Sequence, residues 1–503
     1  MKQYEMFELE FKGTEPEGSH AEVDLQAEFF VNGNTTSVKG FYAGNGTYKV
    51  RFYPAETGTY TYKISGVVNA SGTEVCEAPA GHGIVKADGT HFTYADGTPY
   101  YPFGTTVYAL AHQDDALVEE TLASLEKAPF NKVRHCIFPK DYDYNHNDPE
   151  YYPFEKKEDG SWDVHHPCFA YWERFEKIIY RMGEMGIETD LILFHPYDRW
   201  GFRDMCMEDN LVYLDYLLRR LSAVPYIWWS IANEYDVVFS RKMEEWYDIE
   251  QFIVKNDPYS HLLSNHNCIV FYDFARPDIT HCCVQTIAMH MTDRWMEQFK
   301  KPVVFDECCY EGDIQHEWGN ISGKEMTNRF WKACAKGAYA THGETFYSDD
   351  EILWWARGGK LKGKSTERIA YLKDIIYSLP SALEQWQEPS SNEESDAALG
   401  IDLEQGKEIF QKIFSSNPPV DAANLEWKSA VYNGHAGEDV YLKYYAQQCV
   451  AITSINLPEE YTYKIEMIDT WNMTRETLVE RASGKTKLKM PGKEGMAVIA
   501  TRI

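Results

Sequence analysis

The sequence predicts an α/β chain in which a (β/α)₈ barrel lies between two β-sandwich domains. Three observations predict this fold. Short strand-like runs with Gly and Asn turns fill the first part of the chain, eight apolar runs then alternate with helix-like segments, and short strand-like runs return towards the end. Strand–helix alternation repeated eight times is typical of a closed parallel barrel. We assign residues 1–88 to the N-terminal sandwich, 89–384 to the barrel and 385–503 to the C-terminal sandwich.

The first 88 residues have an all-β pattern. Ala21–Val31 and Thr47–Phe52 alternate in part between apolar and polar residues, and Tyr60–Ile64 alternates well. Turn signals such as Asn32-Gly33-Asn34 separate these runs. Regular short strands with Gly and Asn turns favour a small sandwich.

The middle of the chain carries the barrel pattern. Its eight predicted strands are Tyr100–Thr105, Lys132–Phe138, Glu188–Phe194, Tyr226–Ala232, His261–Asn265, Thr280–Thr286, Pro302–Phe305 and Ala338–Thr341. The predicted helices are Ala116–Lys127, Phe169–Met185, Leu211–Leu221, Arg241–Lys255, Lys324–Lys336 and Glu367–Leu379. The alternative is an open doubly wound sheet, but the Gly-rich turn that normally follows its first strand is missing.

The last part of the chain returns to short strands after a weakly patterned stretch. Residues 381–427 have little periodicity and contain the polar loop Ser390–Asp396. The predicted strands that follow are Val440–Tyr445, Val450–Ile455, Tyr461–Ile468 and Met496–Ile503. They favour a second sandwich.

The composition excludes several classes of partner. The chain has 503 residues and a net charge of −29, so phosphate backbones and anionic membranes would repel it. We expect no nucleic-acid partner and no membrane association, since no apolar run reaches the roughly 18 residues that span a bilayer. The start of the chain, Met1–Met6, has no apolar signal-peptide core. The 11 cysteines include no CxxC spacing, which favours reduced thiols in a cytoplasmic protein without a zinc site.

Two glutamates follow apolar strands at positions where a barrel carries its active site. Glu234 ends the run Trp228–Glu234 after strand four, and Glu307 ends Val303–Glu307 at strand seven. The active sites of such barrels lie at the carboxyl ends of the strands. Hydrolysis of a glycosidic bond needs two carboxyl groups, one to protonate the leaving oxygen and one to stabilise or attack the anomeric carbon. We therefore predict that Glu234 and Glu307 are the catalytic pair.

Two neighbours of these glutamates have predicted supporting roles. Arg134 lies inside strand two, and a buried arginine needs a partner, for which Glu307 is the natural choice. The amide of Asn233 is placed to bond the sugar hydroxyl next to the reacting carbon, and it is also a suitable cap for the next helix.

Several polar and aromatic side chains near the strand ends suit a sugar, which presents both hydroxyls and an apolar C–H face. The further predicted substrate-binding residues are Tyr108, His195, Tyr197, Asp198, Trp200, His342, Glu344, Trp354 and Trp355. We expect one of the two adjacent tryptophans to be a core residue. The segment Tyr142–Asn147 has the same character, and a loop packing on itself explains it equally well. His266, Gln285 and His290 end strands five and six, where a structural histidine is the commoner outcome.

The sequence lacks the motifs of several other enzyme classes. There is no HExxH, Walker loop, dinucleotide fingerprint or GxSxG elbow. His195, Asp198, His342 and Glu344 are the residues that a metal-dependent barrel hydrolase would use, but the His-x-His pair of that class is missing after strand one. We therefore predict no metal and no cofactor.

Longer motifs resemble a known family. They are Asn131–Arg134, Ile137–Lys140, Leu193–Phe202, Ala232–Asp236 and Asp306–Gly312, with Gly40–Gly44, Val50–Pro54 and Ile468–Met473 in the flanking domains. They are similar to those of a bacterial family assigned to the glycoside hydrolases, in which an apiosidase-like barrel lies between two domains of unknown function. The barrel also resembles the clan of retaining glycosidases with glutamates on strands four and seven. That likeness implies that Glu234 is the acid/base and Glu307 the nucleophile.

One departure from the clan leaves a question open. Many members place a Tyr or His on strand six beside the nucleophile, whereas this strand reads His281–Gln285. His281 and Gln285 are both candidates for the second partner of the nucleophile.

The function that follows is cleavage of a glycosidic bond in a small oligosaccharide or glycoside by a retaining, exo-acting glycoside hydrolase. The alternatives are a carbohydrate-binding protein without catalysis and a metal-dependent barrel hydrolase. The net charge favours an uncharged sugar, unless Arg134 or Arg199 offsets it locally. A homo-oligomer is compatible with the sequence.

Overall fold

The computed structural model describes residues 1–388 and 430–503, and it confirms an α/β barrel flanked by antiparallel β domains. The first domain contains seven strands, which are β1 Phe7–Lys12, β2 Leu25–Val31, β3 Asn34–Lys39, β4 Phe41–Tyr42, β5 Thr47–Phe52, β6 Gly58–Gly66 and β7 Ala70–Cys76. They form two antiparallel sheets, in the orders β1-β5-β4 and β3-β2-β6-β7. Alternate residues of β2 are buried, and the Phe29 ring stacks on Phe52 of the other sheet at 3.9 Å between centroids.

A small antiparallel sheet, which the sequence pattern did not predict, covers the amino end of the barrel. Its strands are β8 Val85–Asp88, β9 His91–Tyr94 and β10 Pro99–Tyr100. Phe92 of β9 packs against Trp228 and His281 at the base of the barrel, with centroids 5.1 and 5.7 Å apart. The first predicted barrel strand is therefore divided, since Pro99–Tyr100 belongs to this sheet.

The barrel and its insertions follow in chain order. The strands are β11 Phe103–Thr106, β12 Lys132–Cys136, β13 Phe154–Lys156, β14 Trp162–Pro167, β15 Glu188–Phe194, β16 Ile227–Ala232, β17 Leu263–Ser264, β18 Cys282–Gln285, β19 Val303–Glu307, β20 Glu311–Gly312, β21 Tyr339–His342 and β22 Glu344–Thr345. The α-helices are α1 Asp115–Leu125, α2 Phe169–Glu184, α3 Met207–Leu221, α4 Met243–Asn256, α5 Thr292–Phe299, α6 Gly323–Ala335, α7 Trp354–Arg357 and α8 Ser365–Tyr377. Short 3₁₀ helices lie at Leu110–His112, Phe202–Asp204, Tyr235–Val237, Met289–Met291 and Glu317–Gly319.

Eight of these strands form one parallel sheet. Its order is β17-β16-β15-β12-β11-β21-β19-β18, so the first barrel strand, β11, pairs with the last, β21. Between β17 and β18 the gap is bridged by side chains, with Ser264 Oγ donating to His281 O at 2.7 Å and Leu263 N donating to Thr280 Oγ1 at 2.9 Å. All eight predicted strand regions are represented in this sheet. The periodicity missed two short helices, α5 and α7.

The C-terminal domain packs against the barrel through α6. Its strands are β23 Glu384–Gln385, β24 Tyr432–Ala436, β25 Val440–Tyr444, β26 Ile452–Asn456, β27 Tyr463–Asp469, β28 Thr474–Ala482, β29 Lys485–Lys489 and β30 Met496–Arg502. They form a six-stranded sheet, β23-β24-β25-β30-β27-β28, and the pair β26-β29. Tyr444 donates to Asn328 Oδ1 of α6 at 2.9 Å. The predicted polar loop Ser390–Asp396 lies outside the described residues.

A buried ion network joins the N-terminal domain to the barrel. Arg51 of β5 makes two hydrogen bonds to Glu176 of α2, both 2.9 Å long, and Arg220 of α3 donates to the same carboxylate at 2.6 Å. The three side chains are 2–6% exposed, and the Phe41 ring lies against both guanidinium groups. Since one carboxylate is shared by two cations from different domains, this contact fixes how the domains sit together.

Two further properties concern the whole described chain. No helix within residues 1–388 and 430–503 has both the length and the apolar character needed to cross a membrane. All eleven cysteines are free thiols, and six of them are buried.

Replacing Glu176 by Gln leaves the buried Arg220 without its anion and leaves Arg51 with only the half-buried Glu8, which lies 2.8 Å from its Nε atom. We expect the free energy of unfolding at pH 7 to fall by about 3–5 kcal/mol, as for other broken buried ion pairs, in denaturant-induced unfolding. The pKa of Glu176 is lowered from 4.5 to about 2 by Arg220 and Arg51, against the effect of burial. Its contribution is therefore present above about pH 4.5 and is lost as the pH falls towards 2, so the difference between wild type and variant should shrink over that range.

The control for this variant is Glu119→Gln, which removes an exposed partner of Arg181. That change should leave the free energy of unfolding close to the wild-type value. Equal losses in the two variants would contradict the special role of Glu176.

Candidate active site

The two predicted catalytic glutamates line one cavity at the carboxyl ends of the barrel strands. Glu307 is the last residue of β19, and Glu234 follows β16 by two residues. The cavity has a volume of about 170 Å³, and every side chain that lines it comes from the barrel region. Within residues 1–388 and 430–503, the flanking β domains therefore contribute no side chain to this wall.

The backbone at both glutamates is irregular. Glu234 has a φ of 52°, a left-handed conformation that costs a non-glycine residue about 1–3 kcal/mol. The pairing of β18 with β19 shifts before Gln285, which lies opposite Glu307. Such irregularities re-aim side chains and are common beside active sites. Here the shift accompanies two consecutive carboxylates, Asp306 and Glu307, that both meet residues inside the barrel.

Glu307 is surrounded by donors from several strands. The Tyr108 hydroxyl, after β11, donates a hydrogen bond to Glu307 Oε1. Arg134 Nη1 of β12 lies 3.5 Å from the same oxygen, and His266 Nε2 lies 3.9 Å away. Burial and the nearby Glu234 raise the pKa of Glu307, and Arg134 and Tyr108 act in the opposite direction. The nearby carboxylate of Glu234 disfavours the charged form of Glu307, whereas the surrounding donors favour it.

Glu234 is held by two other donors. Tyr197, after β15, donates from its hydroxyl to Glu234 Oε2, and Asn233 Nδ2 lies 3.3 Å from that oxygen. The Asn233 Oδ1 atom lies 3.1 Å from the Tyr108 hydroxyl and 3.3 Å from Arg134 Nη2. Asn233 therefore links the surroundings of the two carboxylates, so they are positioned by one hydrogen-bonded network.

A second layer of charge fixes Arg134 from below. Lys132 Nζ lies 2.6 Å from Asp306 and 2.8 Å from Asp190, and Arg134 Nε lies 3.8 and 3.7 Å from the same carboxylates. All four side chains are at most 3% exposed. Lys132 and Arg134 hold the pKa of Asp306 far below its ordinary value. We call these four residues the barrel charge cluster.

Aromatic rings form most of the remaining wall and enclose Lys140. Its Nζ atom lies 3.5 Å from the ring centroid of Tyr108, 4.3 Å from that of Tyr197 and 5.2 Å from that of Trp355. Among the described residues, no carboxylate or carbonyl accepts a hydrogen bond from this ammonium group. Burial lowers the pKa of Lys140, and Glu234 and Glu307 oppose that shift. Cation–π contacts replace only part of the lost hydration, so the three N–H donors are available to a ligand.

The structure brings together some of the predicted substrate-binding residues and not others. Tyr108, Tyr197, Asn233 and Trp355 line the cavity, and Arg134 lies beneath it in the barrel charge cluster. The other six, His195, Asp198, Trp200, His342, Glu344 and Trp354, are not among the lining residues. Of the two adjacent tryptophans, Trp354 is the core residue, donating from Nε1 to Thr105 Oγ1 at 2.8 Å.

The residues outside the cavity have structural contacts of their own. His195 Nε2 lies 3.2 Å from Phe138 O, and Asp198 accepts backbone N–H groups of residues 200, 201 and 203. Trp200 Nε1 donates to Asp148 at 2.9 Å. Arg199, the other arginine considered for an anionic substrate, donates to Asp148 at 2.9 Å and is partly exposed. These contacts shape the loop after β15.

His342 and Glu344 lie behind the barrel wall with Glu311. Across the described ranges, these three residues are the group whose ligand atoms come within 4.8 Å of one another, so they are the candidate metal ligands. Glu344 Oε1 and His342 Nε2 lie 3.5 Å apart without a hydrogen-bond partner in the described part of the chain. At the start of α8, by contrast, Glu311 accepts from Lys364 N at 2.7 Å and Glu344 Oε2 accepts from Lys362 N at 2.7 Å. This arrangement is that of side chains capping a helix N-terminus. We assign no metal to it.

Sequence reasoning missed several lining residues and left one choice open. Lys140, Tyr310 and Trp318 line the cavity without having been predicted, and Tyr142 of the ambiguous segment Tyr142–Asn147 lines it as well. Of the two candidates on strand six, Gln285 lines the cavity, whereas His281 lies at the base of the barrel against Phe92. Lys140 follows the end of the predicted strand Lys132–Phe138 by two residues, and this position at the rim is the signal that could have identified it.

Together, the barrel and the paired glutamates at strands four and seven define a glycoside hydrolase. The chain belongs to the family described as apiosidase-like, catalytic domain, whose model matches residues 86–396. The flanks match two domains of unknown function, DUF5060 over residues 1–66 and DUF5605 over residues 427–501.

Solved structures agree with this assignment. A candidate glycoside hydrolase from Bacteroides vulgatus ATCC 8482 is 32% identical, covers 100% of this chain and 99% of its own, and superposes with a TM-score of 0.86. A family 5 glycoside hydrolase from the same organism is 15% identical, covers 84% of this chain and 93% of its own, and has a TM-score of 0.59, which supports the fold alone. No curated protein matches the sequence.

The hydrogen bond from Tyr108 to Glu307 yields a pH prediction. Tyr108→Phe removes a donor that lowers the pKa of Glu307, so that pKa should rise further. If ionised Glu307 is required, kcat/KM falls as the pH drops through its pKa, and this acidic limb should move to higher pH in the variant. The measurement is the pH profile of kcat/KM on an activated glycoside.

Tyr142→Phe is the control, because Tyr142 lines the same cavity without a hydrogen bond to either glutamate. Its acidic limb should coincide with that of the wild type. An unmoved limb in Tyr108→Phe would show that Glu307 does not control the profile.

Proposed function

We propose that this protein is a retaining, exo-acting glycoside hydrolase that cleaves a small oligosaccharide or glycoside. The observation that carries the proposal is the placement of Glu234 and Glu307 in one cavity, each with its own hydroxyl donor. A cavity of about 170 Å³ suits one sugar ring rather than a length of polymer, which supports exo action. The family name makes a furanoside a suitable first substrate to test.

The proposed mechanism has two displacements. Glu307 attacks the anomeric carbon while the glycosidic C–O bond breaks, and Glu234 gives its proton to the leaving oxygen. Glu234 then takes a proton from water, whose oxygen attacks the same carbon and releases Glu307. The charge of Arg134 at 3.5 Å supports Glu307 as the group that is ionised at the start.

Asn233 and Tyr197 have proposed positioning roles. Asn233 faces the cavity between the two carboxylates and is placed for the hydroxyl next to the reacting carbon. Tyr197 keeps Glu234 oriented through its hydroxyl. Trp355 and Tyr142 supply ring faces for the apolar C–H surface of the sugar.

We further propose that the protein acts in the cytoplasm. Its eleven free thiols support this location, because reducing compartments keep cysteines unpaired. Short imported glycosides are the substrates that such a location would supply.

The roles of the two glutamates are separable by experiment. A 2-deoxy-2-fluoro glycoside with an activated leaving group should form a stable covalent adduct on Glu307, located by peptide mass spectrometry. With azide, Glu234→Ala should yield a glycosyl azide of retained configuration and Glu307→Ala one of inverted configuration. Each variant alone should lose 10²-fold or more in kcat, the scale of acid–base catalysis.

Glu317→Gln is the matched control, since Glu317 is exposed beside Trp318 at the cavity mouth. It should leave kcat within twofold of the wild type. Sugar binding without turnover in the wild type, or labelling of a residue other than Glu307, would contradict the mechanism.

Lys140 has a predicted effect on substrate binding. We expect Lys140→Met to preserve the packing between the rings and to raise KM for a neutral glycoside about tenfold, because the donors to sugar oxygens are lost. Michaelis–Menten analysis with the best substrate from a nitrophenyl screen provides the measurement. Lys156→Met removes a lysine that stacks on Trp162 at 4.8 Å outside the cavity, so it should not change KM.

A further inference from the structure

The mouth of the cavity has two unlike halves. Aromatic and hydroxyl-bearing side chains surround the part built by strands one, two, three, seven and eight, where the sugar-binding wall described above lies. The loops after strands four, five and six instead expose four large apolar side chains. These are Phe239, Ile269, Val270 and Ile287, which are 89%, 80%, 58% and 59% exposed, and we call them the apolar rim.

The apolar rim is built on a fixed backbone. Asp236, two residues after Glu234, accepts the backbone N–H groups of Cys268, Ile269 and Val270 at 2.6, 2.7 and 2.7 Å. Asn267 bonds Gln285 in both directions, at 3.1 and 3.4 Å, and thereby ties the loop after β17 to the end of β18. The exposed side chains are therefore presented by an ordered turn.

This construction leaves the loop poorly suited to a second sugar. The three N–H groups that face Asp236 are occupied, so they offer no donors to sugar hydroxyls. Ile269, Val270 and Ile287 carry no polar atoms in their side chains. Sugar platforms use broad aromatic faces, and three of these four side chains are β-branched aliphatics.

The apolar rim also lies on the acid/base side of the cavity. The Cys268 side chain lies within hydrogen-bonding reach of Glu234, and Ile287 itself lines the cavity. A general acid must face the oxygen of the bond that it breaks, so the surface beyond Glu234 is the surface that the leaving group meets.

We propose that the apolar rim is the binding site for an apolar aglycone, aryl or alkyl, of a small glycoside. The proposal rests on the retaining mechanism above, in which Glu234 protonates the leaving group. A second copy of this chain is a poorer occupant, because stable interfaces use about 20–30 residues a side and the apolar rim has four exposed apolar side chains. The site therefore selects substrates by their leaving groups as well as by their sugar.

The experiment uses the full chain and the sugar identified by the nitrophenyl screen. It compares the phenyl glycoside with its 4-butylphenyl homologue, since both phenols have nearly the same acidity and only the apolar area differs. We expect kcat/KM to be about tenfold higher for the butyl compound, mainly through KM, as partial burial of four CH₂ or CH₃ groups permits. Ile269→Ser with Val270→Ser should reduce the ratio of kcat/KM for the two glycosides to less than twofold, a ratio in which any general loss of activity cancels.

Ile452→Ser is the matched control, because it removes an isoleucine that is 61% exposed in the C-terminal domain. It should keep the full preference. Equal rates on the two glycosides in the wild type, an unchanged preference in the double variant, or a disaccharide of the same sugar cleaved faster than the butylphenyl glycoside would overturn the proposal.

Three outcomes that contradict a proposal are distinguishable from one another. Light scattering that shows a dimer in the wild type and a monomer in the double variant would assign the apolar rim to a second copy and overturn the aglycone site. If the wild type hydrolyses no glycoside, the proposed function itself fails. If it hydrolyses glycosides without regard to the butyl group, only the aglycone site fails.

Discussion

Four buried charges at the centre of the barrel determine the geometry of the whole site. Removing an isolated ion from water costs several kcal/mol even after relaxation, so Lys132, Arg134, Asp190 and Asp306 are stable in the barrel only as a set. The set ties strands two, three and seven together beneath the cavity. Arg134 is then left with its Nη atoms close to Glu307 and Asn233. The cluster thus fixes the positive charge of Arg134 beneath Glu307.

Above Arg134, the hydroxyl groups of two tyrosines position the two glutamates. Tyr108 and Tyr197 each bond one glutamate, and the same two rings hold the Lys140 ammonium between them. In the proposed mechanism Glu234 begins as the proton donor and Glu307 as a carboxylate, so that the charges of Glu307 and Lys140 balance within the cavity. A neutral sugar preserves that balance, whereas a uronate would add an uncompensated charge beside a carboxylate. The local field therefore agrees with the preference suggested by the net charge of −29.

The barrel strands could be predicted because each is an apolar run followed by polar residues, and the glutamates could be predicted because parallel strands end at one edge. The direction of other side chains could not be predicted. Thr341 reaches Asp306 inside the barrel, so its neighbour His342 faces outwards to Phe130. Lys140 was missed because its rings lie at positions 108, 197 and 355, and no local pattern reports that they meet. The small sheet β8-β9-β10 was missed because its strands have four residues or fewer.

Because the first barrel strand pairs with the last, the barrel can close only late in the synthesis of the chain. The hydroxyl of Tyr108 emerges from the ribosome 199 residues before the carboxylate that it binds. The N-terminal domain has its own core and is complete long before then. The growing sheet keeps an open, apolar edge until β21 is made, and such edges are prone to aggregate. The partly synthesised barrel is therefore the state of the protein that most needs protection by chaperones against aggregation.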